Sequence, residues 1–420
     1  MLDINLIRNN PEKIQKAADS KNVKVDIKHI LEIDRKYKEL SISVQKLREE
    51  RNVLTLSMKG KPTPEQIEKG KILKEKLEKE EHALKAVLEE LKIELLKIPN
   101  LPKDDVKVGK NDTQNNVIKK VGKPEKFNFK PKDHLEIGEG LDIIDIERAA
   151  KISGARFYFL KNEGVLLEFA LRELAFEILL KENFIPVLPP VFIKKEIMKG
   201  LGYMENGGDE DMYIFEKDNL VLVGTSEQSI VSMHKDEILN EKDLPKRYAG
   251  FSTCFRREAG SYGKDTRGIL RAHQFDKIEM VSFIKHGEDD REHEYLLSLE
   301  EKLLQALEIP YQVVKMCTGD LGFPAARKYD LEAWIPSENK YREVTSASTT
   351  TDFQSRRLNI KYSTKQNVKE FVTILNGTAF STRPIIAILE NHQQEDGSVI
   401  IPKALQKYLR FEKISKKSSK

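Results

Sequence analysis

The chain of 420 residues is long enough for two or three domains of about 100–200 residues each. Hydrophobic residues make up 39% and charged residues 33%, which is typical of a globular protein with long, solvated helices. The net charge of +4, from 72 basic and 68 acidic residues, only weakly favours a polyanionic partner.

No apolar run approaches the roughly 18 residues of a membrane span, so no membrane partner is expected. The first residues are too charged for a secretory signal. Two cysteines, Cys254 and Cys317, supply neither a disulfide framework nor a four-ligand zinc site. We therefore expect a cytoplasmic protein.

The first 25 residues predict a short helical lead-in. Asn10 suits an N-cap, Pro11 the first helical position and Glu12 an acid in the first turn. At the other end of the chain, the lysine-rich stretch from Lys407 to Lys420 is interpreted as a solvated tail.

Residues 26–98 carry two heptad patterns separated by a turn rich in glycine and proline. Two such segments must fold back on each other, which predicts an antiparallel coiled-coil hairpin. Its first helix, of about 30 residues, would be about 45–50 Å long. Arg51 and Glu81 are the polar positions in the seam. The apolar ones are Ile30, Ile33, Tyr37, Leu40, Val44, Leu47, Leu54 and Met58, then Leu77, Leu84, Leu88, Leu91, Leu95 and Ile98.

Such a hairpin has two uses. It can serve solely to stiffen or tether a structure. Alternatively, it can reach a distant part of a large ligand. Its charges are nearly balanced, so electrostatics alone leaves both open.

The remainder, residues 109–420, predicts a globular α+β domain. A helix is expected around Val165–Glu182, and short strand-like runs follow without regularly alternating helices. This pattern indicates a mainly antiparallel sheet with helices packed on it. The predicted strands are Leu220–Val223, Arg247–Glu258, Phe275–Ile284, Tyr311–Thr318, Asp330–Ile335 and Tyr341–Ala347.

Many polar residues that could bind a substrate or take part in catalysis lie in one stretch, Phe251–Met280, which reads FSTCFRREAGSYGKDTRGILRAHQFDKIEM. Arg256 and Glu258 are two apart on a predicted strand, so both side chains should point to one face. A second strand should likewise present Phe275 and Glu279 together. A surface hairpin with ordinary ion pairs is the alternative interpretation.

Between these strands lies a glycine-containing loop that holds Arg267 and ends near Arg271. Guanidinium groups bind phosphates through two parallel charged hydrogen bonds, and an aromatic ring can stack on a base. The hairpin is therefore a candidate nucleotide site.

The stretch follows F-R-x-E, then D-T-R-G, then R-x-H-Q-F-x-K-x-E. It resembles motif 2 of class II aminoacyl-tRNA synthetases in the form seen in seryl-tRNA synthetases. The resemblance extends over nearly the whole chain, because the hairpin is similar to the arm that precedes the catalytic domain in that family. Further segments resemble family motifs: Gly224-Thr225-Ser226-Glu227 the Thr-x-Glu loop, Pro190 the motif 1 proline, Glu343-Val344-Thr345-Ser346 the Glu-x-x-Ser segment, and Asn376-Gly377-Thr378 leading to Arg383 motif 3.

The resemblance implies two domains. Residues 1–108 would form an N-terminal tRNA-binding domain with the arm at about 26–98. Residues 109–420 would form a class II catalytic domain. The implied activity is that of a serine–tRNA ligase, which forms seryl-adenylate from serine and ATP and transfers serine to the 3′ end of tRNA(Ser). It leaves tRNA(Sec) open as a second acceptor, and it implies a homodimer built by the motif 1 region, Val165–Pro190.

The resemblance also implies ATP-binding roles, with Arg256 and Arg383 as the catalytic arginines. Arg256 would hold the serine carboxylate and the α-phosphate together, which aligns attack and offsets the growing charge. Phe275 and Arg383 would sandwich the adenine ring by stacking and a cation–π contact. The full implied set is Arg256, Glu258 at the adenine amino group, Arg271 at the terminal phosphate, Phe275, Glu343, Val344, Thr345, Ser346 and Arg383.

Glu343 and Ser346 are the implied ligands of Mg²⁺, which prefers oxygen donors. No side-chain nucleophile is required, because the serine carboxylate itself attacks.

For serine, the implied ligands are Thr225, Glu227, Arg256, Glu279 and Thr378. Glu279 and Thr378 would bind the hydroxyl, and such a pocket rejects alanine because its own polar groups would be left unpaired.

Two departures from the family pattern stand out. Ser226 replaces the more usual alanine, a conservative change. The path from Thr378 to Arg383 is one residue shorter than usual, and Pro384 follows the arginine. Ser381 is therefore an alternative to Thr378 as a serine ligand.

The histidines His234, His273 and His293 are interpreted as packing or surface residues, since no partner constellation surrounds them in sequence. Two other functions stay open. One is a relative that has lost aminoacylation and acts as a binding factor. The other is a ligase that loads a carrier protein, although such relatives typically lack the arm.

Overall fold

The computed structural model describes residues 1–58, 60–259 and 268–416. Arg267 and the end of the lysine-rich tail lie outside these residues. The chain divides into two compact units, Met1–Pro99 and Asn100–Lys420. Within the described ranges, no helix is both long and apolar enough to cross a membrane.

The first unit is helical throughout its regular structure. Its helices are α1 (Ile4–Asn9), α2 (Pro11–Ser20), α3 (Ile27–Ser57) and α4 (Pro64–Leu96). Helix α4 starts with a capping box, because Thr63 Oγ1 accepts from the Gln66 amide at 3.2 Å and the Gln66 side chain accepts from the Thr63 amide. Helices α3 and α4 pack along each other as the predicted hairpin.

The seam of the hairpin is apolar where the heptads place it. Val44 and Leu47 of α3 pack against Leu77 of α4, with Leu84 beside them. At the polar seam position of α4, Glu81 pairs at 2.7 Å with Arg48, not with Arg51.

The second unit is the α+β domain. Its helices are α5 (His134–Gly140), α6 (Ile146–Ser153), α7 (Glu163–Lys181), α8 (Lys195–Leu201), α9 (Ser226–Ser232), α10 (Asp289–Ala306), α11 (Phe353–Leu358), α12 (Arg383–Asn391) and α13 (Lys403–Gln406). Its strands are β1 (Asn116–Val121), β2 (Ile144–Asp145), β3 (Phe159–Leu160), β4 (Ile185–Val187), β5 (Phe192–Lys194), β6 (Ile214–Phe215), β7 (Leu220–Leu222), β8 (Ile238–Asn240), β9 (Lys246–Phe255), β10 (Gln274–Ile284), β11 (Tyr311–Lys315), β12 (Arg327–Ile335), β13 (Lys340–Thr351), β14 (Lys361–Ser363), β15 (Lys369–Phe371), β16 (Thr373–Ser381), β17 (Val399–Ile400) and β18 (Lys413–Ile414).

Eight strands form the main sheet in the order β1-β11-β12-β13-β16-β10-β9-β4. Neighbouring strands are antiparallel except for β4, which lies parallel to β9. Helices α7, α10 and α12 share one apolar core with this sheet, through residues such as Leu171, Leu303 and Ile388. The α+β prediction with a mainly antiparallel sheet is confirmed.

One local prediction is wrong. Arg256 and Glu258 were expected on one face of a strand, but neither lies on a strand, because β9 ends at Phe255. The amide of Arg256 donates to the His273 carbonyl, and that of Arg257 donates to the Asp211 carbonyl. Glu258 then has φ +51°, so the chain has left the extended conformation before the loop begins.

Candidate active site

A cavity of about 150 Å³ opens above β10, β13 and β16, beside the start of α12. It brings together most of the residues singled out from sequence. Those that line it are Arg256, Glu258, Phe275, Glu343, Val344, Thr345, Ser346, Thr378 and Arg383, with Ser381. It also exposes Lys277 and Lys328, which the sequence reasoning did not nominate.

Arg271 lines a second, adjoining cavity of about 460 Å³. Four residues line both cavities: Leu270, Lys328, Glu343 and Arg383. Arg271 Nη1 also lies 3.3 Å from Glu258 Oε2, so the two ends of the loop meet at the site.

The side chain of Arg256 bridges two parts of the site. Its Nε donates to the Gly224 carbonyl at 3.2 Å, and its guanidinium lies 5.5 Å from the centre of the Phe275 ring. The carbonyl of Arg256 lies 3.0 Å from His273 Nδ1, which fixes the backbone beneath. The arginine thus joins the Thr225 loop to the aromatic wall of the cavity.

Strand β10 presents Phe275, Lys277 and Glu279 on one face, as period-two alternation requires. Glu279 is buried and forms an ion pair with Lys277. Thr378 of the neighbouring strand donates to Glu279 Oε2 at 3.3 Å. Lys277 could have been predicted from the sequence, because it lies midway between Phe275 and Glu279 and alternation along a strand places all three side chains on one face.

Thr225 and Glu227 lie at the start of α9, next to Arg256. Thr225 is the N-cap, and its Oγ1 accepts from the Glu227 amide at 3.3 Å. Glu227 is buried, and burial together with the Glu279 charge raises the pKa of its carboxyl group. Its carboxylate accepts from Tyr203 and Gln354, two residues that sequence reasoning missed because both lie outside the recognised motifs.

A bulge sets the geometry of Glu343 and Ser346. The pairing of β12 with β13 shifts register, so that Glu343 lies opposite Glu332 and Ser346 opposite Asp330. Because Asp330 and Glu332 are two apart on β12, the bulge turns Glu343 and Ser346 to the same face despite their three-residue spacing.

The pKa values of Glu343 and the neighbouring Asp330 are strongly shifted. Burial opposes its ionisation, but Arg383 and Lys328 overcome this and lower the pKa of Glu343 to about 2. Lys328 also pairs with Asp330 at 3.1 Å, while burial raises the pKa of Asp330 to about 7. The cavity therefore holds a firmly ionised carboxylate beside basic groups.

Although the path from Thr378 to Arg383 is one residue shorter than usual, Arg383 lines the cavity. Thr382 occupies the N-cap position of α12 without a side-chain capping hydrogen bond, and Arg383 is the first helical residue. Pro384 follows in the first turn, where the missing proline N–H costs nothing. Arg383 Nε donates to the Leu270 carbonyl at 3.3 Å. Ser381 Oγ donates to the Val344 carbonyl at 3.1 Å, whereas the Thr378 hydroxyl faces Glu279.

The three histidines lie in hydrogen-bonded surroundings. His234 contacts Glu237 and the Tyr248 hydroxyl, and His273 contacts the Arg256 carbonyl. His293 is fully buried beside Ala347 and Arg327.

Comparisons with known proteins match both units. Residues 1–102 match the seryl-tRNA synthetase N-terminal domain, and residues 213–392 match the class II tRNA synthetase core domain of the G, H, P, S and T enzymes. The serine–tRNA ligase of Dictyoglomus turgidum is 44% identical over 424 residues, covering 99% of this chain and 100% of that protein. That of Acidothermus cellulolyticus is 45% identical over 416 residues, covering 97% and 98%.

The chain belongs to the seryl-tRNA synthetase family. Solved structures agree with this placement. The Pyrococcus horikoshii seryl-tRNA synthetase complexed with ATP has a TM-score of 0.93 at 39% identity, covering 100% of both chains. The Naegleria fowleri cytoplasmic serine–tRNA ligase with AMP has a TM-score of 0.89 at 31% identity, covering 100% of this chain and 99% of that one. The seryl-tRNA synthetase resemblance read from the motifs is thus confirmed.

Proposed function

We propose that this chain is a serine–tRNA ligase that uses ATP to activate serine and transfers it to tRNA(Ser). The observation that carries the proposal is the cavity in which Arg256, Phe275, Glu343, Thr378 and Arg383 converge. Such a cavity combines phosphate-binding arginines, an aromatic wall and hydroxyl-binding groups, which are the parts that joining serine to a nucleotide requires.

In the first step a serine carboxylate oxygen attacks the α-phosphorus of ATP, and pyrophosphate leaves. Arg256 is the group that would contact both the carboxylate and the α-phosphate, since its guanidinium lies between the Thr225 loop and Phe275. It aligns the two reactants and offsets the charge that grows on the phosphoryl oxygens. Glu258 and Phe275 would recognise adenine, Arg383 would cover its other face, and Arg271 would bind the terminal phosphate.

In the second step the 3′-terminal ribose hydroxyl of the tRNA attacks the carbonyl carbon of seryl-adenylate, and AMP leaves. For serine recognition we propose Thr225, Glu227, Arg256, Glu279 and Thr378. The hydrogen bond from Thr378 to Glu279 places both groups where a substrate hydroxyl can join them. Ser381 is less suitable, because its hydroxyl donates to a strand carbonyl.

We further propose that Glu343 and Ser346 hold Mg²⁺ together with phosphate oxygens of ATP. The two side chains share a face of β13, and the carboxylate is ionised at neutral pH. Mg²⁺ usually binds through one or two protein oxygens plus substrate phosphates. This fits the described residues, where no group of three or more His, Cys, Asp or Glu side chains could hold a metal by itself. When bound, the ion would neutralise phosphate charge.

The N-terminal domain, residues 1–108, is proposed to bind tRNA through its arm, with residues 109–420 as the catalytic domain. Lys28, Lys36 and Lys46 are exposed on α3 and available to phosphates, whereas the Arg48 guanidinium pairs with Glu81. Recognition of tRNA(Sec) stays a prediction, as does a cytoplasmic location.

A homodimer is proposed through the motif 1 region. Helix α7 and the segment after it leave large apolar side chains exposed, among them Leu166, Phe169, Ile185 and Leu188. Clusters of this kind commonly mark a protein interface. Sedimentation at micromolar concentration should give about twice the 48.3 kDa chain mass, and a monomer would contradict the proposal.

ATP–pyrophosphate exchange, measured with each amino acid in turn, tests the activity. Exchange that depends on serine and Mg²⁺ is expected. A relative that had lost aminoacylation would show none, and a carrier-protein ligase would show exchange without charging tRNA.

A further inference from the structure

The carboxylate of Glu227 has an unusual set of neighbours. The Tyr203 hydroxyl lies 2.9 Å from Oε1 and 2.8 Å from Oε2, and Gln354 Nε2 donates to Oε1 at 3.0 Å. Tyr203 follows α8 and Gln354 lies in α11, so two distant segments converge on one side chain. Glu227 and Gln354 are both buried.

Thr350 contacts the other end of the Gln354 amide. Thr350 Oγ1 lies 3.2 Å from Gln354 Oε1 and also 3.0 Å from the Ile374 carbonyl. The Thr350 hydroxyl donates to one acceptor at a time, so it holds the amide oxygen only when it does not donate to the Ile374 carbonyl. A flipped amide would set its oxygen against the Glu227 carboxylate, so the NH₂ end of Gln354 faces Glu227.

The chemistry of these neighbours is one-sided. A phenol hydroxyl and an amide NH₂ both donate to Glu227, and neither carries a charge. Burial and the nearby Glu279 disfavour the ionised carboxylate, and hydrogen bonds to the charged form counteract this. Lys277 also favours the charged form of Glu227, but its own ion pair is with Glu279. The negative charge of Glu227 is therefore available for a substrate cation.

We propose that Tyr203 and Gln354 are positioning residues that orient the Glu227 carboxylate, and favour its charged form against burial, so that it binds the ammonium group of the amino-acid substrate. The inference rests on the proposed serine-binding role of Glu227 and names the two residues through which the site selects for an amino group. A substrate with an ammonium group supplies a counter-charge in direct contact with Glu227. A substrate without one leaves the buried carboxylate with no cation in contact with it, which is costly.

The test uses Tyr203→Phe and Gln354→Met in the full chain, each of which removes a donor while keeping most of the side-chain volume. Tyr311→Phe is the matched control, since it removes a hydroxyl that donates to Glu301 at 2.8 Å, outside the cavity linings. In ATP–pyrophosphate exchange, each variant should raise the KM for serine about tenfold or more, given the strength of hydrogen bonds to charged groups. The KM for ATP should stay within about twofold.

A binding measurement separates positioning from general damage. Isothermal titration would compare a non-hydrolysable seryl-adenylate analogue with the same analogue lacking the amino group. The wild-type chain should prefer the amino form, and both variants should reduce that preference about tenfold, with the control unchanged.

An unchanged preference in either folded variant, or an equal rise in the KM for serine and ATP, would overturn the inference. If one variant does not fold, the other still decides. A wild-type chain without serine-dependent exchange would instead overturn the proposed function.

Discussion

Thr378 Oγ1 donates a hydrogen bond to Oε2 of Glu279 at 3.3 Å, across the pairing of β16 with β10. Both residues are buried, and Lys277 forms an ion pair with the same carboxylate. The pairing register shifts at this point, since Ile278 lies opposite Phe380 and Glu279 opposite Thr378. The shift skips Ala379 and brings the threonine into line with the carboxylate, although motif 3 is one residue shorter than usual.

Thr378→Val should weaken selection of serine over alanine. The substitution removes the hydroxyl but keeps the branched shape, so we expect the ratio of kcat/KM for the two amino acids to fall about tenfold or more. Ser381→Ala is the matched comparison and should change this ratio by less than about threefold, because its hydroxyl donates to Val344. The reverse ranking would make Ser381 the serine ligand.

Arg256→Ala should abolish adenylate formation while the protein stays folded. The side chain contacts the Gly224 carbonyl and the Phe275 ring and lines the cavity, so its loss removes phosphate binding more than packing. We expect exchange to fall at least 10²-fold, as when a group that stabilises a transition state is lost. Arg148→Ala, which removes an exposed arginine paired with Asp145, is the control. Near-normal exchange by Arg256→Ala would rule out the assigned role.

Deleting residues 26–98 should separate amino-acid activation from tRNA charging. All the residues proposed to bind serine or ATP lie between 225 and 383, so serine-dependent exchange should remain largely intact. Charging should weaken through a raised KM for tRNA, with a modest salt dependence because the arm is nearly neutral. Full charging efficiency at low tRNA concentration would make the hairpin only a structural appendage. Lys36→Glu together with Lys46→Glu gives the same comparison without a deletion.

His293 should make the fold sensitive to acid. Its Nε2 lies 3.0 Å from the Ala347 carbonyl and its Nδ1 accepts from Arg327 Nε at 3.2 Å, so a second proton would face the guanidinium. Burial, with Arg327 and Lys103, lowers the pKa of His293 to about 3, although the Ala347 carbonyl and Asp289 oppose this. The unfolded chain takes up a proton near pH 6.5 and the folded chain does not. Neutral His293 therefore contributes fully to the free energy of unfolding above pH 6.5. This contribution is lost as the pH falls toward 3, at up to about 1.4 kcal/mol per pH unit.

Melting curves at pH 7.5 and 5.5 test this linkage. His293→Gln should be less stable than the wild type at pH 7.5 but lose less melting temperature on acidification. An equal loss in both proteins would show that His293 does not govern the acid response.

Periodicity and motif order predicted much of this architecture. The heptads located the hairpin and most of its seam, and Phe275 and Glu279 share a face as their spacing requires. These features depend on local repeats, which a sequence displays directly. Strand β16 at the centre of the sheet was not predicted as a strand, although motif 3 lies on it.

Features that depend on contacts between distant segments could not be predicted from the sequence. The end of β9 before Arg256 depends on hydrogen bonds to residues 211 and 273, which local propensity does not contain. The bulge that aligns Glu343 with Ser346 depends on the register of a neighbouring strand. Tyr203 and Gln354 meet Glu227 only through tertiary structure, and neither stands in a motif that would nominate it.

The activity is tested most directly by transfer of labelled serine to a tRNA(Ser) transcript by the purified chain with ATP and Mg²⁺. We expect an ester of serine at the 3′ end, formed with serine but not with alanine, and lost in Arg256→Ala. Serine-dependent pyrophosphate exchange without any charging of tRNA would contradict it, as would charging of the transcript with another amino acid.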